Sequence, residues 1–559
     1  MKKMKKLLYI LSATLLLGAC KKTLLQLPNP NLPTPQSSLA TEGGIDAFAM
    51  GIYYKWIAFE TGDGNINFFD IAWYMESNMG DEDFTPYSNY GSRYPMNIAS
   101  ITLPQPYGTV VTNPSGFANN LAILENFNSR SAGDGNSIQY EWDCFYYVNA
   151  QANTLLQALA NPSLKLSGDA ATKLKLLQAW AYYWKGYAYS KLGSMYLAAL
   201  IDDSPDSTAK GLTSNVYVVH DSVIGAANRN LEQAASIFGS ITENSDYDTT
   251  FKAIIPSFNV PTHVITPGMW VRQIHSFEAR NYMANHKVAA MTSTDWTTIL
   301  NLAASGMLPT DYTLEWGMAP AGVPDLTQGS SPPFPFLFHP MALHSVSGGL
   351  SFVSERLIQD FQPGDNRFTK GFEPYPTGVV VNVLNRGIQF GTRYAPTDIE
   401  KGGLYATEDF SSAAVVPIAP TWEENALMTA EADIYLGNID AGLQLIDQVR
   451  ASQNAGLPPL AGSGISQDSA ITQLHSERRI GLYLHNVSWY DARRWGITAP
   501  AAQGGGRIGN VVIPGSLINQ TAAKVLPCFI DYDFVDYWDV PQNELDFNPA
   551  SANSAPVKN

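Results

Sequence analysis

At 559 residues the chain is long enough to bury a large core, and 45% hydrophobic against 15% charged residues is a globular composition, not a disordered one. A formal charge of −16 supplies neither the basic footprint that nucleic acid requires nor a polybasic patch for an anionic bilayer. Aromatic residues make up 11%, with 28 Tyr and 12 Trp. Most must fill a core; the remainder offer flat apolar faces with polar edges, which suit sugars or peptides in water.

Residues 1–19 read as a signal peptide: Lys2, Lys3, Lys5 and Lys6 precede an apolar run from Leu7 to Leu17 that is too short to span a bilayer. Leu17-Gly18-Ala19-Cys20 resembles a bacterial lipobox. Cleavage there would make an acylated Cys20 the new N-terminus, and several acyl chains on one residue anchor stably. Loss of the four lysines leaves a mature charge of about −20. Residues 20–40, rich in Pro and polar side chains, are a lipidated tether with no core of their own. Cys144 and Cys528 lie too far apart in sequence to suggest a metal motif or a disulfide framework and read as buried thiols.

Residues 42–59 look helical, and a Gly/Asn/Asp-rich break follows. Residues 70–108 carry Trp73, Tyr74, Phe84, Tyr87, Tyr90, Tyr94 and Tyr107 among Gly, Pro and Asn. No period of 2 or 3.6 organises them, so core packing explains them less well than usual. Trp73, Tyr87, Tyr90 and Tyr94 are therefore candidate ligand contacts. Helices in pairs follow. One covers residues 140–160, and the next, 169–197, carries Leu174, Leu177, Ala181, Trp184, Ala188 and Met195 near heptad spacing, with Trp180, Tyr183 and Tyr187 as a second buried face. Residues 221–238, 269–291 and 295–305 continue the series, with Ser293 or Thr294 expected to cap the last and Gly306 to end it. The insertion over residues 307–421 is rich in Gly, Pro, Ser and aromatics. Loops on a rigid frame are where binding concentrates, so Tyr312 and Trp316 join the candidate contacts. Residues 423–437 and 440–450 form a final pair.

Leu192-Gly193 and Tyr435-Leu436-Gly437, with Ala441 soon after, occupy tetratricopeptide-repeat positions without a contiguous 34-residue period. No hairpin buries its apolar face alone, so the hairpins must stack. The expected fold class is mainly α: tetratricopeptide-like helical hairpins forming a scaffold, with long irregular loop insertions and few short strands. Residues beyond 497 read as irregular.

The most informative stretch is Ser476 to Gly496, SERRIGLYLHNVSWYDARRWG. It opens as a helix, with Ile471, Leu474, Ile480 and Leu484 on one face. Four arginines among aromatics, beside Glu477 and Asp491, predict guanidinium forks stacked on tryptophan, a structural clamp. The string resembles the signature "ER..EL..EG.RW.DL.RWG" of the SusD/RagB family, nutrient-binding outer-membrane lipoproteins of the Bacteroidetes. His485-Asn486-Val487-Ser488 replaces the usual Glu-Gly-x-Arg. Further segments resemble the family in the same order: Asn149 and Asn153 in an "AN..L" element, LQAWAYYWKGYAYSKLGSMY, Pro363 to Arg367 as a "D.R" element, and Tyr537 to Glu544 with Asn548-Pro549 as its closing "P.P..E...NP". Asp81-Glu82-Asp83 stands where relatives carry a short acidic element before a ligand-facing loop.

The resemblance implies a single SusD-like domain over residues 41–559, with a scaffold at about 42–59, 140–306 and 423–496, ligand-facing insertions at about 60–138 and 307–421, and an irregular part at 497–559. It further implies a surface-facing outer-membrane lipoprotein that captures oligosaccharide or peptide and passes it to a SusC-like TonB-dependent transporter.

No motif for catalysis stands in a supporting context. His339, His344, His475 and His485 lack metal-ligand spacing, and fifty acids single out no opposed carboxylate pair. The expectation is no enzyme and no cofactor; Asp531, Asp533, Asp536 and Asp539 are the acids that a structural Ca²⁺ would use, against the simpler reading of a solvated surface. The alternatives are an anchored glycoside hydrolase and a transporter scaffold with no ligand site.

Overall fold

Helices take the stretches in which apolar residues recur at helical spacing, and the longest of them sits at the centre. The computed structural model describes residues 38–57, 72–84, 91, 93–203, 214–255, 263–317, 352–381, 388–397 and 415–559. Cys20 and the tether up to residue 37, Tyr87, Tyr90, His339, His344 and about half of the large insertion lie outside them.

The first helix, α1 (Glu42–Ile57), is followed by the short α2 (Tyr74–Met79) and by α3 (Asn120–Phe127), whose N-terminus is capped by Asn119 accepting the Ala122 N–H at 2.9 Å. Helices α4 (Gln139–Leu159) and α5 (Ala170–Met195) pack as a hairpin, and α5 packs more extensively still on α6 (His220–Gly239). Trp180, Tyr183, Trp184 and Tyr187 leave α5 apolar on every side, so it must be enclosed. They stack edge-on with one another and with Trp270 (Trp180–Trp184 centroids 5.6 Å, Tyr183–Trp270 4.9 Å). The expected Leu-Gly position matters sterically: a Cβ on Gly193 would lie 2.9 Å from Ile224 Cδ1, and one on Gly186 2.5 Å from Leu231 Cγ. Glycine thus lets α5 and α6 approach closely.

Next come α7 (Ser245–Ala253), α8 (Pro267–Ala284) and α9 (Ser293–Ala303). Two sequence expectations need correction here. Helix α8 ends at Ala284, short of residue 291, because Asn285 breaks the helical backbone. Helix α9 is capped by Thr292, whose N–H donates to Asp295 at 2.6 Å in a reciprocal box, and Ser293 is already its first residue. Short helices α10 (Glu355–Ile358) and α11 (Asn366–Gly371) precede a second bundle of α12 (Trp422–Tyr435), α13 (Ile439–Ser452) and α14 (Gln467–Gly481). Helix α15 (Ser488–Arg494) and α16 (Gln542–Phe547) complete the set.

Strands β1 (Asp83–Phe84), β2 (Ser100–Thr102), β3 (Val110–Thr112), β4 (Ala198–Ala199), β5 (Val218–Val219), β6 (Glu315–Gly317), β7 (Phe352–Val353), β8 (Phe372–Pro374), β9 (Val380–Val381), β10 (Gly391–Thr392), β11 (Tyr394–Pro396) and β12 (Val415–Pro417) are two or three residues each. Only β13 (Arg507–Ile513) and β14 (Lys524–Asp531) are longer. They pair in register from Arg507↔Ile530 to Ile513↔Lys524 at the middle of a six-stranded antiparallel sheet ordered β3-β2-β14-β13-β10-β9. The stretch expected to be irregular after residue 497 therefore holds the most regular β structure described. Its alternation is hidden by Gly509 and Asn510 in one strand and Pro527 in the other. Strands β6 and β12 pair Trp316 with Val416 and close the root of the large insertion.

Candidate functional site

The arginine-rich segment is a buried electrostatic joint. Arg478 forks onto Asp491 (2.8 and 3.0 Å), and Arg494 joins the same carboxylate (2.8 Å) while forking onto Glu431 of α12 (2.6 and 2.5 Å). Arg494 lies over Trp495 with its guanidinium carbon 5.2 Å from the ring centroid, and Arg493 lies over Tyr537 at 4.6 Å. The clamp expected from sequence is there, with different partners for Glu477, which accepts from Arg367 (2.5 Å) and Arg450 (2.8 Å), residues remote from the motif. Burial raises the Asp491 carboxyl, but Arg478 and Arg494 outweigh it and hold it below the ordinary range. Asn486 has φ +60°, a left-handed backbone. It stands at the glycine position of the motif, and Asn is among the few other residues that tolerate this conformation. Its amide adds bonds glycine lacks, to Glu76 and Lys191.

The acidic triplet is equally buried. Asp81 (φ +57°) accepts from Arg356 (3.0 and 2.6 Å), Arg507 (2.6 Å), Tyr532 (2.5 Å) and Ser354 (2.7 Å), while Arg479 donates to its carbonyl at 2.8 Å. Burial would raise its pKa; the two facing guanidinium groups hold it well below the usual range. Glu82 goes the other way, pushed up to about 7 by burial. These carboxylates tie α2, α10, β13 and α14 together; their role is architectural.

The candidate ligand contacts divide. Trp73 is 4% exposed and belongs to the main core, so its ring is packing surface and the expectation of an accessible contact is corrected. Tyr94 is half-buried with the Arg93 guanidinium 4.7 Å from its ring, and its carbonyl accepts from Asn113 at 3.1 Å. Tyr312 is 42% exposed, and one face of its ring stacks on His263 at 3.3 Å between centroids. It stands on a stiff pedestal. Arg272 of α8 forks onto Asp311 (2.7 and 2.5 Å), which also accepts the Leu308 N–H at 2.8 Å. Thr313 donates to Pro420 and accepts from Gln273, and Tyr53 donates to the Glu315 carbonyl at 2.5 Å. Trp316 follows on β6, four residues along the same segment as Tyr312; Tyr94 lies in a separate segment before β2. The Arg272–Asp311 fork and the His263 ring were not legible in the sequence, because α8 and residue 263 meet this loop only in the fold.

Asp531 accepts from the Ala501 N–H, Asp533 from the Asn120 N–H and Asp539 from Asn559, while Asp536 pairs with Lys287, so these four acids are turned to separate protein partners. Among the described residues no group of three His, Cys, Asp or Glu is placed to hold a metal ion, and no helix is long and apolar enough to cross a membrane. Cys144 and Cys528 are free and buried.

The SusD family model matches residues 424–552, the segment that carries the clamp, and bears out the resemblance drawn from it. Among curated protein sequences none matches the chain. Solved structures share the fold over almost its whole length. A SusD-like carbohydrate binding protein from Bacteroides vulgatus is 14% identical with a TM-score of 0.53, covering 92% of this chain and 98% of its own. Surface glycan-binding protein A from Bacteroides fluxus is 15% identical with a TM-score of 0.54, covering 93% and 99%. A structure solved with a xylogluco-oligosaccharide is 14% identical with a TM-score of 0.55, covering 92% and 99%. The mainly helical, tetratricopeptide-like scaffold is thus the SusD-like fold.

Proposed function

From a chain with the SusD-like fold and a SusD family segment at residues 424–552, we propose that this protein is a non-enzymatic nutrient binder that captures oligosaccharide at the cell surface. The observation that carries the reading is Tyr312: an aromatic ring 42% exposed, backed on one face by His263 and held by the Arg272–Asp311 fork at the root of the large insertion. A ring so mounted costs little ordering entropy on binding, and its open face suits the C–H face of a sugar. The names of the similar structures, which bind carbohydrate, favour oligosaccharide over peptide. In this reading Cys20 carries the lipid anchor, the outer membrane is its location, and a SusC-like TonB-dependent transporter receives the ligand.

The acids of the clamp and of the joint at Asp81 have no catalytic part in this reading: Asp81, Glu431, Glu477 and Asp491 are committed to guanidinium groups and offer no acid or base to a substrate. The test is affinity electrophoresis and calorimetry with a panel of polysaccharides and peptides, combined with analysis for shortened products. Binding of a glycan without cleavage is expected. Turnover, or binding confined to peptides, would overturn the reading.

A further inference from the structure

Where β13, β14, β2 and β3 run side by side, from Ile508 to Val110, the six-stranded sheet turns one face to the core and the other to solvent, while Val512 further along β13 is covered on both sides. Ile101, Gly509, Val511, Cys528 and Ile530 are buried on the inner face. On the outer face, strand register aligns four residues in a single row, Ile508↔Phe529, Phe529↔Thr102 and Thr102↔Val110, across β13, β14, β2 and β3. Ile508 is 70% exposed, Val110 54% and Phe529 36%. Four adjacent strands make this row about 14 Å long. The Phe529 ring reaches over Gly506, where a Cβ would lie 2.6 Å from its Cζ, so the missing side chain lets the ring lie along the sheet. An apolar row of this kind on an outer face is not explained by folding.

Its charge says what could cover it. The row has no charged residue, although the chain carries −16. Arg507, beside Ile508, is turned inward onto Asp81, and Asp531 is turned to the Ala501 N–H. A cationic or anionic partner would find no complement here, whereas an uncharged one loses no ion hydration on contact. Thr102 in the row and Thr112 beside it add hydroxyls to the apolar surface. The strands that carry the row are also tied to the segment of Tyr94, a residue read as ligand-facing. Asn113, directly after β3, hydrogen-bonds through its backbone to Ala99 before β2 and through its side chain to the Tyr94 carbonyl.

We infer that the Ile508–Phe529–Thr102–Val110 row is a second carbohydrate-contacting strip, taking a neutral oligosaccharide along the sheet with Phe529 as its stacking platform. This rests on the carbohydrate-binding reading above and adds a site remote in sequence from the Tyr312 pedestal.

The experiment uses the mature chain with xyloglucan, galactomannan and starch as neutral probes and polygalacturonate as the charged one. Phe529→Ala and, separately, Ile508→Thr are compared with the wild type by affinity electrophoresis, with melting temperature as a folding control. The expected result is a loss of about threefold to tenfold in affinity for the neutral polysaccharide that binds, at unchanged melting temperature. Phe529→Trp should retain binding. If Phe529→Ala and Ile508→Thr bind like the wild type while Tyr312→Ala does not, the strip is refuted and the pedestal reading stands. If the wild type binds none of the neutral probes, or only polygalacturonate, the strip falls; the absence of any glycan binding removes the carbohydrate reading with it.

Discussion

The interior of the helical scaffold and the rim at residues 308–316 are built from the same kinds of side chain and use them for opposite ends. Around α5, Trp180, Tyr183, Trp184 and Trp270 are fully buried and interlock edge to face. At the rim, Tyr312 has one stacked face and is 42% exposed, and Leu308 beside it is 47% exposed. An aromatic-rich composition therefore says nothing by itself about binding. What separates the two populations is whether the backbone beneath encloses the ring or holds it up to solvent.

Deleting one ring from the interior should have the largest effect. Trp184→Ala should cost about 3–5 kcal/mol of unfolding free energy, because the surrounding rings cannot all collapse into the space. Chemical denaturation would show it, and a loss under 1 kcal/mol would mean that α5 is not the centre of the fold. Asp81→Asn should follow, at the lower end of about 3–5 kcal/mol, since Arg356 and Arg507 then stay buried without their counter-charge. Its pH signature is distinct. The depressed Asp81 pKa contributes stability above the unfolded carboxyl value that is lost as pH falls through the folded one. The Asn variant should lose less on acidification than the wild type does.

Much of this division was legible in sequence and some was not, for physical reasons. The stripe on α5 and the pairing of Arg478 and Arg494 with Asp491 depend on residues close in sequence, where spacing reports geometry, and Leu192-Gly193 was legible as a repeat position. The partners of Glu477 were not legible, because Arg367 and Arg450 reach it from other elements. Trp73 was misread since α2 is too short to display a period, yet its side chain enters the core. The β13–β14 hairpin was missed because glycine, asparagine and proline interrupt its alternation. Of the candidate site, Tyr312 and Trp316 were placed in one insertion by composition alone; the pedestal beneath Tyr312 is a property of tertiary contacts.

A smaller effect tests the interior from its polar side. Glu141 of α4 is 1% exposed and neither carboxyl oxygen has a hydrogen-bond partner, while Glu76, Lys191 and Arg493 face it. Burial first, then the Glu76 charge, raises its pKa well above the ordinary value. The unfolded chain therefore gives up this proton at lower pH than the fold does. Above the unfolded pKa, stability should fall by up to about 1.4 kcal/mol per pH unit until the folded carboxyl ionises. Glu141→Gln keeps the shape and removes the proton, so its stability should decline less between pH 5 and pH 8 than that of the wild type. Identical pH slopes for the two proteins would show that Glu141 is charged in the fold.

The smallest stability effect belongs to the rim, and it is the one that separates enclosure from display. Tyr312→Ala removes a ring already in water on one face, so its unfolding free energy should change by no more than about 0.5 kcal/mol, as for surface positions generally. Affinity for the bound glycan should drop by about tenfold, the loss of a well-seated aromatic contact. Arg272→Gln should lower affinity less, because Asp311 still accepts the Leu308 N–H and keeps part of the turn. If Tyr312→Ala instead destabilises the fold as Trp184→Ala does and leaves glycan affinity intact, the ring is a piece of the scaffold that happens to reach the surface, and the ligand must be sought elsewhere on the molecule.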